Sequence, residues 1–334
     1  MRLAIDAMGG DHAPQQIVEG AVKAAKEKPS LEIILVGQEA VLKKELQQHT
    51  TLNNISICPA NEVITMEEEP ALAVRSKKDA SIVVATKLVK DKEADAIISA
   101  GSTGAQMASA LLGLGRIKGI ARPAIATVFP TLKGGKLVLD VGANSDCKPI
   151  HLVQFAHMGS IYAEKLLQIS NPKVGLLNIG SEEKKGNELT QETYHLLKRE
   201  QNLNFIGNIE PRYIPLGEAD VIVCDGFVGN AILKFAEGLS SFLFKLIKQE
   251  LTKNFTRRIG AALVKSGFKD IKNSLDYTEY GGAPLLGVNG VSIICHGSSN
   301  AYTIKNGIFA AARCVESDFV RKISEVIALE EQKG

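Results

Sequence analysis

Six short stretches of this 334-residue chain combine glycine with hydroxyl, amide and charged side chains: DAMGGDHAP (6–14), SAGSTGA (99–105), DVGANSD (140–146), NIGSEEKKGNE (178–188), DGFVGN (225–230) and HGSSNA (296–301). Glycine lets backbone N–H groups come close to a ligand, and a helix that starts just afterwards offers its free N–H groups and positive dipole end to an anion. Phosphate is the natural candidate. One such turn is weak evidence, because Ser, Asn and Gly are also ordinary caps and turn formers. Six together carry more weight. Ser102, Thr103, Gly104, Asn144, Gly186 and Ser298 are the expected phosphate or substrate contacts. Lys185, beside Gly186, is the expected neutralising cation, and Asn230 and His296 are expected at the reacting atoms. Asp6, Asp140 and Asp225 read equally well as loop braces.

The elements that must position these turns follow from hydrophobic spacing. Short β-rich runs at 2–6, 31–36, 55–58, 96–99, 124–129, 136–141, 173–177, 221–224 and 291–295 alternate with helical patterns at 15–26, 81–92, 103–114, 151–168 and 189–200. That alternation predicts βαβ units: a mostly parallel sheet with helices on both faces, a three-layer αβα arrangement. In a parallel sheet the turns that follow the strands gather on one edge, where open α/β folds bind ligands. No repeat and no linker rich in Ser, Gly or Pro divides the chain. One α/β domain over 1–334 is expected, with a helical subregion near 235–276.

Several motifs fail. Gly113, Gly115 and Gly119 come after the helix that starts near Thr103, so they are not a dinucleotide fingerprint. Neither a G-x-x-x-x-G-K-[ST] loop nor a G-x-S-x-G elbow is present. His151 and His157 fall six apart on a helix with an apolar face and read as packed residues rather than metal ligands. No metal or organic cofactor is expected.

Composition narrows the class further. A net charge of +2 and no Trp argue against a nucleic-acid surface. The five cysteines are isolated from one another, which fits a reducing cytosol better than a disulfide framework. MRLAIDAMGG turns polar after one short apolar run, so no export signal is expected. Elsewhere charged residues interrupt the apolar runs before the eighteen or so residues a spanning helix needs. A soluble, cytoplasmic protein follows, still able to lie on a membrane.

The strings DAMGGD, SAGSTGA, LDVGAN, QFAHMGSIYA, GLLNIGSEEKKG, DGFVGN, EYGGAPLLGVNG and HGSSNA, in this order from residue 6 to residue 301, resemble the acyl-carrier-protein:phosphate acyltransferases of bacterial phospholipid synthesis. The resemblance covers nearly the whole chain. It implies a fold like that of phosphotransacetylases and of isocitrate and isopropylmalate dehydrogenases, and a homodimer. It also implies that the substrates are a fatty acyl-[acyl carrier protein] and inorganic phosphate, and that the acyl phosphate product passes to a downstream membrane acyltransferase. Val228 stands in DGFVGN where the family pattern suggests a hydroxyl residue, which leaves backbone contacts at that place.

Acyl transfer to phosphate needs the anion in line with the thioester carbon and donors aimed at the developing oxyanion; ionised phosphate is already a nucleophile, so no Ser-His-Asp triad is required. The other enzyme reading is a phosphotransacetylase acting on short acyl-coenzyme A. A non-catalytic membrane scaffold for lipid-synthesis enzymes is the reading from a different class, and it predicts no phosphate-dependent thiol release. The one strong charge bias lies at 245–272, where eight cations outnumber Glu250 and Asp270. Arg257 and Arg258 flank Ile259, Leu263 and Val264 there. This suits an anionic membrane interface, an acidic carrier protein or an ordinary solvated face.

Overall fold

The computed structural model describes residues 1–274 and 281–331. Among them eleven strands form one sheet: β1 (Arg2–Asp6), β2 (Glu32–Gly37), β3 (Ile55–Pro59), β4 (Ala96–Ser99), β5 (Ala124–Thr131), β6 (Gly134–Leu139), β7 (Lys173–Leu177), β8 (Asn204–Ile209), β9 (Val221–Val223), β10 (Ala283–Leu286) and β11 (Val291–Ile294). The helices are α1 (Gln15–Glu27), α2 (Glu39–Leu46), α3 (Pro70–Ser76), α4 (Ser81–Lys90), α5 (Thr103–Gly113), α6 (Pro149–Leu166), α7 (Glu188–Leu197), α8 (Gly226–Leu251), α9 (Phe255–Leu263), α10 (Lys265–Ser274), α11 (Ala301–Ser317) and α12 (Phe319–Glu331). Nine strands lie within two residues of the β-rich runs in the sequence. β8 and β10 are additional: Gly207 dilutes the first and Pro284 the second, and both residues weaken a strand pattern.

The strand order is β3-β2-β1-β4-β11-β10-β5-β6-β9-β7-β8. Most neighbours are parallel, but β11–β10, β10–β5 and β5–β6 are antiparallel. Three reversals in a row leave β6, β9, β7 and β8 running opposite to β3, β2, β1, β4 and β11. The expectation that all the glycine-rich turns share one edge is therefore corrected. Turns after β1, β4 and β11 lie at one edge of the sheet, and those after β6, β7 and β9 lie at the other.

Side chains alternate between the two faces of each strand, as the pleat requires. Leu3 and Ile5, Ala96 and Ile98, Leu137 and Leu139, and Val221 and Val223 all enter one core that runs across the sheet beneath α1, α6, α11 and α12. Their neighbours Ala4 and Ile97, and Val138 and Ile222, point the other way. There the packing is divided: one core lies under α3, α4 and α5, and a second on β5, β6 and β9.

Between β9 and β10 the chain leaves the sheet through α8, α9 and α10. This helical subregion begins at Gly226 rather than near residue 235, because β9 is short and Asp225 caps the helix at once; residues 275 and 276 lie outside the described residues, as do Glu279 and Tyr280 of EYGGAPLLGVNG. By length and composition alone α8 is long and apolar enough to cross a membrane. Lys234 and Glu237 interrupt its apolar residues, as expected from the sequence, but before Lys245 they are its only charged side chains.

Candidate active site

A cavity of about 330 Å³ opens against the core on β5, β6 and β9, at the low end of the range for small-ligand sites. Ile125 and Thr127 of β5 and Ile294 of β11 form its floor, all from the strands where the sheet reverses. Thr103 at the start of α5 and His296 after β11 come from one edge. Val141 and Gly142, after β6, come from the other. The second to fourth turns of α8 close the remaining side with Asn230, Leu233, Lys234 and Glu237. The antiparallel centre thus lets turns from opposite edges meet.

The entry of α8 depends on two glycines. A Cβ at Gly226 would lie 2.7 Å from both Asn144 O and Asp140 Oδ2, and Gly229 has Asp140 O directly against it. Without side chains, the helix backbone seats on the 140–144 loop, and Gly226 N–H donates to Asn144 O at 2.7 Å. Asp140 organises that loop. Its Oδ1 accepts from the amides of Ile125 (3.0 Å), Gly142 (3.2 Å) and Ala143 (2.9 Å). Its Oδ2 accepts from Asn144 N (2.7 Å) and Nδ2 (2.8 Å). Burial pushes the Asp140 pKa up, and these donors oppose the shift. Asp6 is a second brace, accepting from Ser99 Oγ at 2.7 Å and Met8 N at 3.3 Å. Asp225 caps α8 through Val228 N at 2.9 Å, the backbone contact that survives beside the valine side chain.

Of the residues expected from sequence, Thr103, Asn230 and His296 line the cavity together. Ser298 holds His296: its Oγ is 2.8 Å from Nδ1, and its amide donates to Nδ1 at 3.2 Å. Ser102 caps α5 through Ala105 N at 3.4 Å. A side chain at Gly104 would meet Pro70 of α3 at 2.7 Å. The amide hydrogens of Asn144 go to Asp140 and to Pro123 O, so this residue braces the loop in the observed arrangement. Lys185 and Gly186 sit in the loop after β7 and do not line the cavity. His151 Nδ1 accepts from Lys148 N at the start of α6, and His157 pairs with Glu200 at 3.0 Å.

Sequence reasoning missed Lys234 and Glu237. Their signal is the spacing of 230, 233, 234 and 237, one face of a helix that begins at a catalytic-looking turn. Cys295 also lines the cavity, but burial pushes its thiol up to about 12, so it is protonated and a poor nucleophile. Among the described residues no group of His, Cys, Asp and Glu is arranged to hold a metal ion. Outside the cavity, α9 has no buried residue. Ile259, Leu263 and Val264 are exposed there, Arg257 pairs with Glu250, and Arg258 Nε donates to Thr252 O at 3.0 Å.

The family described as "Fatty acid synthesis protein" matches residues 1–322 of this chain. A phosphate acyltransferase of Desulfitobacterium hafniense (strain DSM 10664 / DCB-2) is 62% identical over 326 residues, covering 97% of both chains. One of Heliobacterium modesticaldum is 59% identical over 329 residues, covering 98% of both. Among solved structures, a phosphotransacetylase from Streptococcus pyogenes superposes with a TM-score of 0.65 at 18% identity, over 95% of this chain and 94% of its own. A phosphotransacetylase from Staphylococcus aureus gives 0.60 at 16% identity, over 94% of each. At such identities the likeness to the two structures is one of fold. Matched along nearly its whole length by relatives that are themselves phosphate acyltransferases, the chain belongs to the fatty acid synthesis protein family.

Proposed function

We propose that this protein transfers a fatty acyl group from the thioester of acyl carrier protein to inorganic phosphate, giving acyl phosphate and free carrier for phosphatidic acid and phospholipid synthesis. The observation that carries the reading is the meeting of Thr103, Asn230 and His296 around one cavity in a member of this family. At the start of α5 the Ala105 amide goes to Ser102 Oγ, while the amides of Thr103 and Gly104, with no carbonyl one turn back to bond, offer an anion their hydrogens. A phosphate oxygen attacks the thioester carbon. The C–O bond forms, the C–S bond breaks, and the proton of monohydrogen phosphate ends on the departing thiolate. Because Nδ1 of His296 accepts the Ser298 amide, the proton of the neutral ring sits on Nε2, available as a donor to the developing oxyanion. The Asn230 amide is a second polar group for phosphate or carbonyl.

The fold shared with phosphotransacetylases favours one other reading, a short acyl-coenzyme A as donor. Steady-state assays with the same long acyl chain on carrier protein and on coenzyme A, and with acetyl-coenzyme A, decide between them. A higher kcat/KM on acyl carrier protein supports the first. The continuous sheet supports one α/β unit over 1–334, and the finer kinship with isocitrate and isopropylmalate dehydrogenases rests on the motif resemblance. The apolar, little-buried α8 supports a homodimer. The exposed apolar and basic residues of α9 support peripheral contact with the cytoplasmic face of the cell membrane, or with the acidic carrier.

A further inference from the structure

Building on the phosphate acyltransferase reading, we propose that Lys234 of α8 is the catalytic residue that receives the phosphate dianion in this cavity. A dianion brought into a partly enclosed site needs a counter-charge, and backbone dipoles supply only part of it. Among the described residues lining the cavity, Lys234 is the only Lys or Arg. The start of α8 cannot serve instead: Asp225 places a carboxylate on its first turn, and Gly226 N–H is spent on Asn144 O.

Lys234 stands one helical turn beyond Asn230, on the face that also presents Leu233 and Glu237 to the cavity. That face is fixed, because Gly226 and Gly229 seat the helix on the Asp140 loop. The lysine is held in readiness by Glu237, with Nζ 2.9 Å from Oε2. Their side chains are 49% and 20% exposed, so the pair is partly solvated and weak. A phosphate dianion, with two charges and several acceptor oxygens, competes for the ammonium on favourable terms. Glu237 takes it back when the acyl phosphate leaves.

The test compares the parent with Lys234→Ala and Lys234→Arg, using inorganic phosphate as the probe in titration calorimetry and phosphate-dependent thiol release as the rate. Lys234→Ala should weaken phosphate binding and raise the KM for phosphate tenfold or more. The KM for the acyl thioester should stay within about twofold, and the arginine variant should recover most of the loss. Because Lys234 is half exposed, thermal unfolding of the variants should match the parent. A folded Lys234→Ala protein with phosphate affinity and phosphate KM within twofold of the parent overturns the inference. So does a selective phosphate defect in Lys185→Ala with none in Lys234→Ala. If the parent releases no thiol with phosphate, the proposed function fails, while calorimetry on the parent and Lys234→Ala still decides whether Lys234 holds phosphate.

Discussion

Gly229 packs its backbone against the carbonyl oxygen of Asp140, with no room for a Cβ between them. Through this contact the end of β6 sets where α8 begins, and so where Asn230 and Lys234 meet the cavity. Gly229→Ala should force the helix outward. Overpacking of this kind costs about 1–3 kcal/mol, and activity should fall more steeply than stability because the site is displaced. Denaturant unfolding and kcat measured on the same preparation check this; an alanine variant matching the parent in both would contradict it.

His151 supplies a pH dependence. Its Nδ1 accepts the Lys148 amide at 3.1 Å, which needs an unprotonated nitrogen. Burial, then the charges of Arg122 and Lys148, hold its pKa below the ordinary 6.5. The unfolded ring therefore binds a proton more readily than the folded one, and stability from this group is present above about pH 6.5 and lost as pH falls through the folded value. Unfolding free energies at several pH values between about 7 and 5 should fall less steeply for His151→Gln than for the parent. Parallel curves would show that His151 does not set this pH dependence.

α8 leaves Phe227, Phe235 and Phe242 more than half exposed in a single chain. Exposed apolar area of this extent calls for a partner. Light scattering should return twice the 35.8 kDa chain mass at micromolar concentration. Phe242→Glu, beyond the cavity-lining turns, should shift it towards the monomer. A parent that stays at the chain mass would contradict the dimer.

On α9, Leu263 is 81% exposed beside Ile259 and the cations Arg257 and Arg258. Leu263→Glu should release the protein from anionic phospholipid vesicles and leave turnover of soluble acyl carrier protein unchanged. Charge reversal at Arg257 and Arg258 should raise the KM for acyl carrier protein but not for acyl-coenzyme A if this face meets the carrier. Vesicle sedimentation and kinetics like the parent's in both variants would make α9 a solvated face.

Much of this was written in local spacing. β4, β6, β9 and β11 are short apolar runs ended by glycine and polar residues, and Thr103, Asn230 and His296 follow them directly. The reversal of the sheet was harder to read. It turns on β10, four residues including Pro284, and on the β5–β6 hairpin, whose two-residue turn Leu132–Lys133 carries no glycine and sits inside an otherwise βα-like pattern. Lys185 stood out because it lies in a turn beside a glycine, yet its loop follows β7, two strands away from β6. Lys234 was hidden because residues 230, 233, 234 and 237 look like any amphipathic helix face until the glycine contacts fix what that face meets.

In the proposed reaction phosphate attacks the acyl thioester directly, without an acyl-enzyme. The measurement is release of free thiol from palmitoyl-[acyl carrier protein], with and without inorganic phosphate, alongside ³¹P NMR quantification of acyl phosphate. Thiol should appear only with phosphate and in equal amount to acyl phosphate, and Cys295→Ala, which removes the protonated cavity thiol, should behave like the parent. Thiol release without phosphate, or a stable acylated protein that Cys295→Ala abolishes, would contradict direct attack.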